Sequence, residues 1–182
     1  MRLYVMRHGT TNWNEKKIIQ GRRHNRLSKS GVKLVENTAY EIKDIDFDVI
    51  ISSPMFRTIQ TANIVNKYHN CKIIKNELLS EIDRGKFSGR PYNKLTENEK
   101  FLFDTIDKNS GMEQAFDVYK RANSFVNEVL PKYKNQTVLI VTHDIIASFI
   151  EIILTNKQDT YDINKYTPLF KNAEVKCFEV NI

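Results

Sequence analysis

The fold of this chain is decided by the stretch LYVMRHGTT at residues 3–11. Its apolar beginning predicts a buried β-strand over residues 2–6. The strand leads directly into Arg7, His8 and Gly9, which set an imidazole beside a guanidinium and beside a backbone that an anion can approach closely. An imidazole in that setting is a candidate nucleophile toward phosphorus.

Two further apolar runs end in polar groups in the same way. A strand predicted over residues 48–52 stops at Ser-Ser-Pro, with Arg57 just beyond, and a strand predicted over residues 137–142 stops before His143. In open parallel sheets the carboxyl ends of the strands share one edge, and ligands bind there. We therefore expect Arg57 and His143 to converge on the polar end of the first strand.

Apolar periodicity and capping residues predict the remaining elements. Ser28, Ser53 and Asp144 are the expected N-caps of three helices. The aromatic residues Phe116 and Phe125, at helical spacing, are expected in the core. The predicted helices cover residues 29–43, 54–68, 93–130 with a break at 109–111, and 145–154, and the other strands cover 72–74 and 174–180.

The alternation of strands and helices, with right-handed crossovers, predicts an α/β fold. We expect a three-layer α/β/α sandwich with a mostly parallel central sheet and the last strand at its margin. A chain of 182 residues is long enough for one well-buried core and short for two, so residues 1–182 are expected to form a single domain.

Composition narrows the class of protein. Hydrophobic residues make up 41% and charged residues 27% of the chain, and no apolar run is long enough to span a bilayer. The strand-like N-terminus is unlike a signal peptide, and two cysteines, Cys71 and Cys177, suit a reducing compartment better than a disulfide scaffold. These features predict a cytoplasmic protein with no membrane partner.

The net charge is +6; lysines are scattered along the chain, and the one dense basic segment is the loop of residues 16–26. That loop is interpreted as a rim that attracts an anionic substrate, or as a merely solvated basic loop. No aromatic residues are interleaved for base stacking, so we expect no nucleic-acid partner. The four histidines show no helical i, i+3 or i+4 pairing and no Cys-x-x-Cys occurs, so neither a metal site nor a cofactor is expected.

Taken together, these motifs resemble those of the histidine phosphatase superfamily, which has the phosphoglycerate-mutase-like fold. The resemblance covers nearly the whole chain. The matching blocks are RHGTT at residues 7–11, Asn14 with Gln20 and Gly21, the segment from SSP at 52–54 through Arg57 to QTA at 60–62, Glu81 with Gly85 and Gly89, and VTH at 141–143.

The resemblance implies a phosphatase in which His8 attacks phosphorus and forms a phosphohistidine. Arg7 and Arg57 would hold the equatorial phosphoryl oxygens with charge-assisted, bidentate hydrogen bonds. His143 would lie in the same pocket and donate to the developing charge. These four residues are the expected centre of the site.

The resemblance also implies a phosphate-binding loop and a proton donor. Asn14 would add a neutral donor to the phosphoryl group, with Gln20 and Gly21 in the same loop. Glu81 matches the proton donor, which requires a raised pKa if it is to be protonated near neutral pH. Asp83, two residues away, remains its rival.

Several alternatives stay open from the residues alone. A phosphoglycerate mutase is one alternative, although the mutases of the family that this chain resembles typically carry an arginine directly after the acid, where this chain has Ile82. A non-catalytic protein on the same fold would be expected to have lost part of the site, and a nucleic-acid binder would be expected to carry a recognised motif. A small phosphorylated metabolite is the expected substrate, with the chain a monomer or homodimer. The hydroxyl groups of four residues near the motifs are competing nucleophiles: Thr10, Thr11, Ser52 and Ser53. Two residues expected at the mouth of the site, His24 and Arg26, depart from the family pattern.

Overall fold

A single five-stranded sheet organises the computed structural model, which describes residues 1–155 and 169–180. The strands lie in the order β3-β2-β4-β1-β5. The first four are mutually parallel, and β5 runs antiparallel to β1 at the edge, as predicted for the last strand. The strands are β1 (Arg2–Arg7), β2 (Val49–Ser52), β3 (Lys72–Lys75), β4 (Val138–Thr142) and β5 (Val175–Glu179).

Helices connect these strands. The predicted break at residues 109–111 lies between the fourth and fifth helices, and the fifth continues into a π-helical turn at Phe125–Val129. None of the described helices is long and apolar enough to cross a membrane. The α-helices are α1 (Asn12–Glu15), α2 (Lys29–Glu41), α3 (Phe56–Val65), α4 (Glu97–Asp104), α5 (Ala115–Ser124) and α6 (Asp144–Leu154), and short 3₁₀ turns cover Glu77–Leu79, Gly85–Phe87, Tyr92–Lys94, Lys108–Ser110 and Leu130–Tyr133.

The sheet is buried on both faces. Successive side chains of a strand point to opposite sides, so Val138 and Ile140 of β4 join the core formed with α5 and α6. Leu139 and Val141 join the second core, formed with α2 and α3. Each such side chain contributes about 1.5–3 kcal/mol when it is fully buried. The expected three-layer α/β/α sandwich is confirmed.

Two of the three predicted N-caps are wrong, because tertiary contacts occupy their side chains. Ser28 does cap α2, accepting from the Gly31 amide at 3.1 Å. The α3 helix begins at Phe56 rather than at residue 54, and the Ser53 hydroxyl bonds Nε2 of His143 at 2.9 Å instead. Asp144 is the first residue of α6 rather than its cap.

The N-terminus of α2 packs directly against the loop that follows β1. The Ser28 amide donates to the Thr10 carbonyl at 3.0 Å. A Cβ at Gly31 would lie 1.8 Å from the same carbonyl oxygen, so only glycine allows this approach. The contact fixes the backbone at Thr10, two residues after His8, and so helps to hold the predicted nucleophile in place.

Candidate active site

The predicted site residues meet at a cavity of about 210 Å³. This volume is below the roughly 300–1,000 Å³ typical of pockets for drug-sized ligands, so the cavity suits a small molecule. His143 is the one predicted site residue that does not line it among the residues that the structure describes. The residues expected at the site that line the cavity are Arg7, His8, Asn14, Gln20, Gly21, Arg57 and Glu81. The lining also contains Ile18, Ile19 and Phe103, which lie in the stretches 15–26 and 86–115 that the sequence predicts as pocket walls, and Arg84, Asp144 and Ile145, which do not.

His8 is held as a neutral imidazole with one defined tautomer. It is 3% exposed, and its Nδ1 lies 2.7 Å from the carbonyl oxygen of Gly9. Because a carbonyl only accepts, Nδ1 carries the proton and Nε2 keeps the lone pair. Burial, reinforced by the charges of Arg57 and Arg7, holds the pKa of His8 well below its usual value. The imidazole is therefore available as a nucleophile at neutral pH.

Arg57 is a fully buried cation beside that lone pair. Its Nε donates to Nε2 of His8 at 3.2 Å, and its other nitrogens donate to the carbonyls of Arg23 at 3.0 Å and Gly21 at 2.9 Å. Burial lowers the pKa of Arg57 to about 10, which still leaves it charged at neutral pH. Its position in the first turn of α3 places a helix N-terminus and a guanidinium together, a favourable setting for an anion.

Arg7 lines the other side of the site and is anchored from behind. Its Nη1 donates to the Phe170 carbonyl at 2.6 Å and lies 3.0 Å from the carboxylate of Asp144. Its Nε is buried without a hydrogen-bond partner among the described residues. An unsatisfied buried donor costs about 1–3 kcal/mol, so an oxyanion that accepts from this nitrogen would bind with that advantage.

His143 contacts His8 rather than the cavity. The two ring centroids are 5.2 Å apart in an edge-to-face arrangement. Burial, together with the charge of Arg57, lowers the pKa of His143 well below its usual value. The ring is therefore a neutral partner whose Nε2 is already engaged with the Ser53 hydroxyl.

The geometry favours Glu81 over Asp83 as the proton donor. Glu81 lines the cavity, and burial raises the pKa of its carboxyl despite the opposing charge of Arg57. The carboxylate of Asp83 instead accepts from the Gly85 amide at 2.8 Å, in a local turn outside the cavity lining. A raised pKa is what a carboxyl group needs to deliver a proton near neutral pH.

The competing hydroxyl nucleophiles are engaged elsewhere. Ser52 donates to the Ser53 carbonyl at 2.8 Å, and Thr11 donates to Oδ1 of Asn14 at 2.9 Å. None of the four competing hydroxyl residues, Thr10, Thr11, Ser52 and Ser53, belongs to the described lining of the cavity, whereas Asn14 does. Because Oδ1 of Asn14 is used by Thr11, its Nδ2 is the group that could donate to a ligand.

The two residues expected at the mouth of the site pack elsewhere. His24 stacks on the ring of Phe56, with centroids 4.3 Å apart, and the Arg26 guanidinium lies 5.7 Å from the same ring. Phe56 borders a separate groove along α3. Neither His24 nor Arg26 belongs to the described lining of the cavity.

Sequence reasoning did not identify Arg84 as a lining residue, and it placed Phe103 only within a broad stretch, residues 86–115, expected to supply pocket walls. The Arg84 guanidinium lies 4.4 Å from the centroid of the Phe103 ring. No local pattern marks this pair, because Phe103 reads as an ordinary apolar position of a helix. In the described part of the chain, no group of three or more His, Cys, Asp or Glu side chains could hold a metal ion.

Comparison with known proteins identifies what the chain is similar to. Residues 3–180 match the family model of the histidine phosphatase superfamily, branch 1. An uncharacterized phosphatase, PhoE, of Bacillus subtilis is 33% identical over 139 residues, which span 76% of this chain and 69% of that protein. Phosphoserine phosphatase 1 of Hydrogenobacter thermophilus is 32% identical over 151 residues, 80% of this chain and 72% of that protein.

Other relatives are named as phosphoglycerate mutases rather than as phosphatases. A protein of Proteus mirabilis that is 30% identical over 80% of this chain and 70% of its own length is named a probable phosphoglycerate mutase. Among solved structures, YhfR of Bacillus stearothermophilus superposes with a TM-score of 0.88 at 24% identity, covering 99% of this chain and 91% of that one. The structural likeness confirms the fold.

Proposed function

The chain belongs to the histidine phosphatase superfamily, and from that premise we propose that it hydrolyses small phosphate monoesters through a phosphohistidine on His8. The observation that carries the proposal is the state of His8 at the cavity. Its imidazole is neutral, its Nδ1 proton is fixed on the Gly9 carbonyl, and its Nε2 lone pair lies beside the Arg57 guanidinium. These are the requirements for in-line attack on a phosphoryl group held by arginines.

In the first step, Nε2 of His8 attacks phosphorus. A P–N bond forms while the bond from phosphorus to the alcohol oxygen breaks, and Glu81 gives its proton to the departing oxygen. Arg57 and Arg7 hold the equatorial oxygens, whose charge they balance. His143 contacts His8, and its Nδ1, which has no hydrogen-bond partner among the described residues, is the proposed neutral donor to the same group.

In the second step, water attacks the phosphohistidine. The Glu81 carboxylate takes the proton from water as the new P–O bond forms and the P–N bond breaks. Inorganic phosphate leaves, and both His8 and Glu81 return to their starting protonation states. One carboxyl group thus serves first as acid and then as base.

We expect activity that needs no divalent metal ion, because two arginines supply the positive charge around the phosphoryl oxygens. The purified protein should hydrolyse para-nitrophenyl phosphate at an unchanged rate after dialysis against a chelator. Activity lost on chelation and restored only by a divalent ion would contradict this mechanism.

Mutase activity is the alternative, and the segment after Glu81 argues against it. The residue directly after Glu81 is Ile82, an apolar side chain that is fully buried in the core, so this position carries no cation. A mutase must protect its phosphohistidine from water, whereas a phosphatase must admit water to it. With phosphoglycerate as substrate, the proposal requires phosphate and glycerate to be released in equal amounts, without transfer to a second hydroxyl group.

The substrate is proposed to be a small phosphorylated metabolite. The curated relative that is named a phosphoserine phosphatase makes phosphorylated hydroxy and amino acids the first compounds to assay. The lining supports this choice, because Arg84 adds a cation close enough to Glu81 to oppose the rise in its pKa. That cation would face the alcohol half of an ester whose bridging oxygen lies at Glu81.

Glu81→Gln is expected to slow the enzyme according to the leaving group. In single-turnover experiments, transfer of the phosphoryl group from an alkyl phosphate to His8 should slow by roughly 10²–10³-fold, because its alkoxide needs a proton, while transfer from para-nitrophenyl phosphate should slow by less than about tenfold. The later hydrolysis of the phosphohistidine, in which Glu81 is the base, is common to both esters and is excluded by this measurement. Alkyl phosphate turnover in the wild type should also decline as pH rises through the raised pKa of Glu81, since the protonated form is the acid. The variant should lack that decline. Equal losses on both esters would argue against Glu81, and Asp83 would then be the acid to test.

A further inference from the structure

A cluster of charged residues lies beside the cavity and outside its lining. The carboxylate of Glu113 accepts from Nη2 of Arg22 at 3.1 Å to each oxygen. It also accepts from Nε and Nη2 of Arg121 at 2.8 and 3.2 Å. A fifth bond, at 2.9 Å, comes from the backbone amide of Asp83. One carboxylate therefore joins two arginines to the segment that carries Glu81.

Both arginines extend from Glu113 to the backbone around the proton donor. Nη1 of Arg121 donates to the carbonyls of Leu78, at 2.8 Å, and of Ser80. Nε of Arg22 donates to the carbonyl of Glu81 itself at 3.0 Å. The backbone is thus bound at Ser80, at Glu81 itself and at Asp83.

This binding matters because Glu81 lies in neither a helix nor a strand. Residues 80–84 have no ladder of backbone hydrogen bonds to define their path, and beside single backbone bonds, such as that from the Glu113 amide to the Asp83 carbonyl at 2.9 Å, side chains supply the rest. The side chains of Glu113 and Arg121 are only 14% and 13% exposed, and bidentate arginine–carboxylate pairs are geometrically specific. The Arg22 side chain is 42% exposed, so its contribution is the smaller one.

We propose that Glu113 is a positioning residue for the proton donor, acting through Arg121 and Arg22 to place the carboxyl of Glu81 at the cavity. The inference rests on the proposed role of Glu81 as general acid. Proton transfer requires hydrogen-bond reach to the leaving oxygen, and a displacement of about 1 Å costs up to roughly 100-fold in rate. Glu113 itself touches no reacting atom.

The test is Glu113→Gln in the full chain. An amide has only one accepting oxygen, so glutamine cannot serve both the arginines and the Asp83 amide. In single-turnover experiments, phosphoryl transfer from an alkyl phosphate to His8 should slow about 10-fold to 100-fold, while transfer from para-nitrophenyl phosphate should change less than about twofold, because only the first ester needs an accurately placed acid in this step. Equal losses on both esters would mean a merely structural role and would overturn the proposal.

The matched control is Glu99→Gln. Glu99 makes a comparable bidentate pair with Arg90, at 2.6 and 2.9 Å, which does not contact residues 78–83. Its loss should leave the ratio of the two phosphoryl-transfer rates unchanged. A ratio that shifts as much in Glu99→Gln as in Glu113→Gln would overturn the specific role of Glu113.

A double variant separates this proposal from the one on which it rests. If Glu113 acts only through Glu81, adding Glu113→Gln to Glu81→Gln should produce no further loss on the alkyl ester. Multiplying losses would overturn the positioning role while leaving Glu81 as the acid. Absence of any leaving-group dependence in Glu81→Gln alone would overturn both.

Should Glu113→Gln fail to fold, Arg22→Met provides the test. It must show the same selectivity between the two esters at a smaller size, about 2-fold to 5-fold, and an unchanged ratio would overturn the proposal.

Discussion

Replacement of His8 by alanine is expected to abolish turnover of every phosphate ester, with kcat falling by roughly 10⁵-fold or more, as for other residues that form the covalent bond. The reason is that, in the described part of the chain, none of the competing hydroxyl residues lines the cavity, whereas His8 does, with its Nε2 lone pair beside Arg57. The nearby hydroxyls of Ser52 and Thr11 are engaged in buried or local hydrogen bonds. Steady-state assays on nitrophenyl and alkyl phosphates, with circular dichroism to confirm folding, measure the effect.

His24→Ala is the matched control for this prediction. His24 follows in the same long loop but is exposed and packs on Phe56. Its loss should leave kcat within about twofold of the wild type, as is usual for surface substitutions. Substantial turnover by folded His8→Ala would rule out His8 as the nucleophile.

Arg57→Ala is expected to have the second largest effect, a loss of roughly 10³-fold in kcat/KM. Arg57 is the buried cation that lies closest to the lone pair of His8, and its charge opposes that which develops on the phosphoryl oxygens. Arg57→Lys should recover only part of the activity, because an ammonium group cannot reproduce the planar fork.

Stability must be measured beside activity for Arg57. Its removal also leaves the carbonyls of Gly21 and Arg23 without their donor, at a cost of about 1–3 kcal/mol for each one that stays buried. Arg26→Ala, at an exposed arginine of the same region, is the control and should retain activity. A folded Arg57→Lys variant with wild-type kcat/KM would contradict the proposed bidentate role.

Apolar runs that end in polar groups proved to be the most informative feature of the sequence. The sheet order brings β1, β2 and β4 together, so the residues after their carboxyl ends meet although they are far apart in the chain. That is why Arg57 could be placed beside His8 from the sequence. Because these neighbouring strands are parallel, their carboxyl ends lie at the same edge of the sheet, and the residues that follow them are brought together there.

Local reasoning failed where tertiary partners compete for a side chain. Ser53 has the sequence signature of an N-cap, yet its hydroxyl is bonded to His143, 90 residues away. Asp144 pairs with Arg7 instead of capping α6. Phe116, expected in the core from helical spacing, is 55% exposed and lies under Lys120 at 4.5 Å.

The network around Glu113 could not be predicted for a related reason. Its contact with Arg22 spans 91 residues and joins two loops. Neither periodicity nor a capping rule applies to residues outside helices and strands, and charged loop residues are usually solvated. Only the folded backbone shows that this carboxylate joins the loop that carries Arg22 to the segment that carries Glu81.

The central claim is that the phosphoryl group passes through His8, and trapping the intermediate tests it most directly. Turnover quenched in the presence of a labelled ester should leave the label on the protein, stable in alkali and lost in acid, because a phosphoramidate departs readily once its imidazole is protonated. The label should map to the peptide that contains Arg7, His8 and Gly9 and should be absent from His8→Ala. An acid-stable label, as expected for a serine or threonine ester, or a label that persists in His8→Ala, would contradict the account.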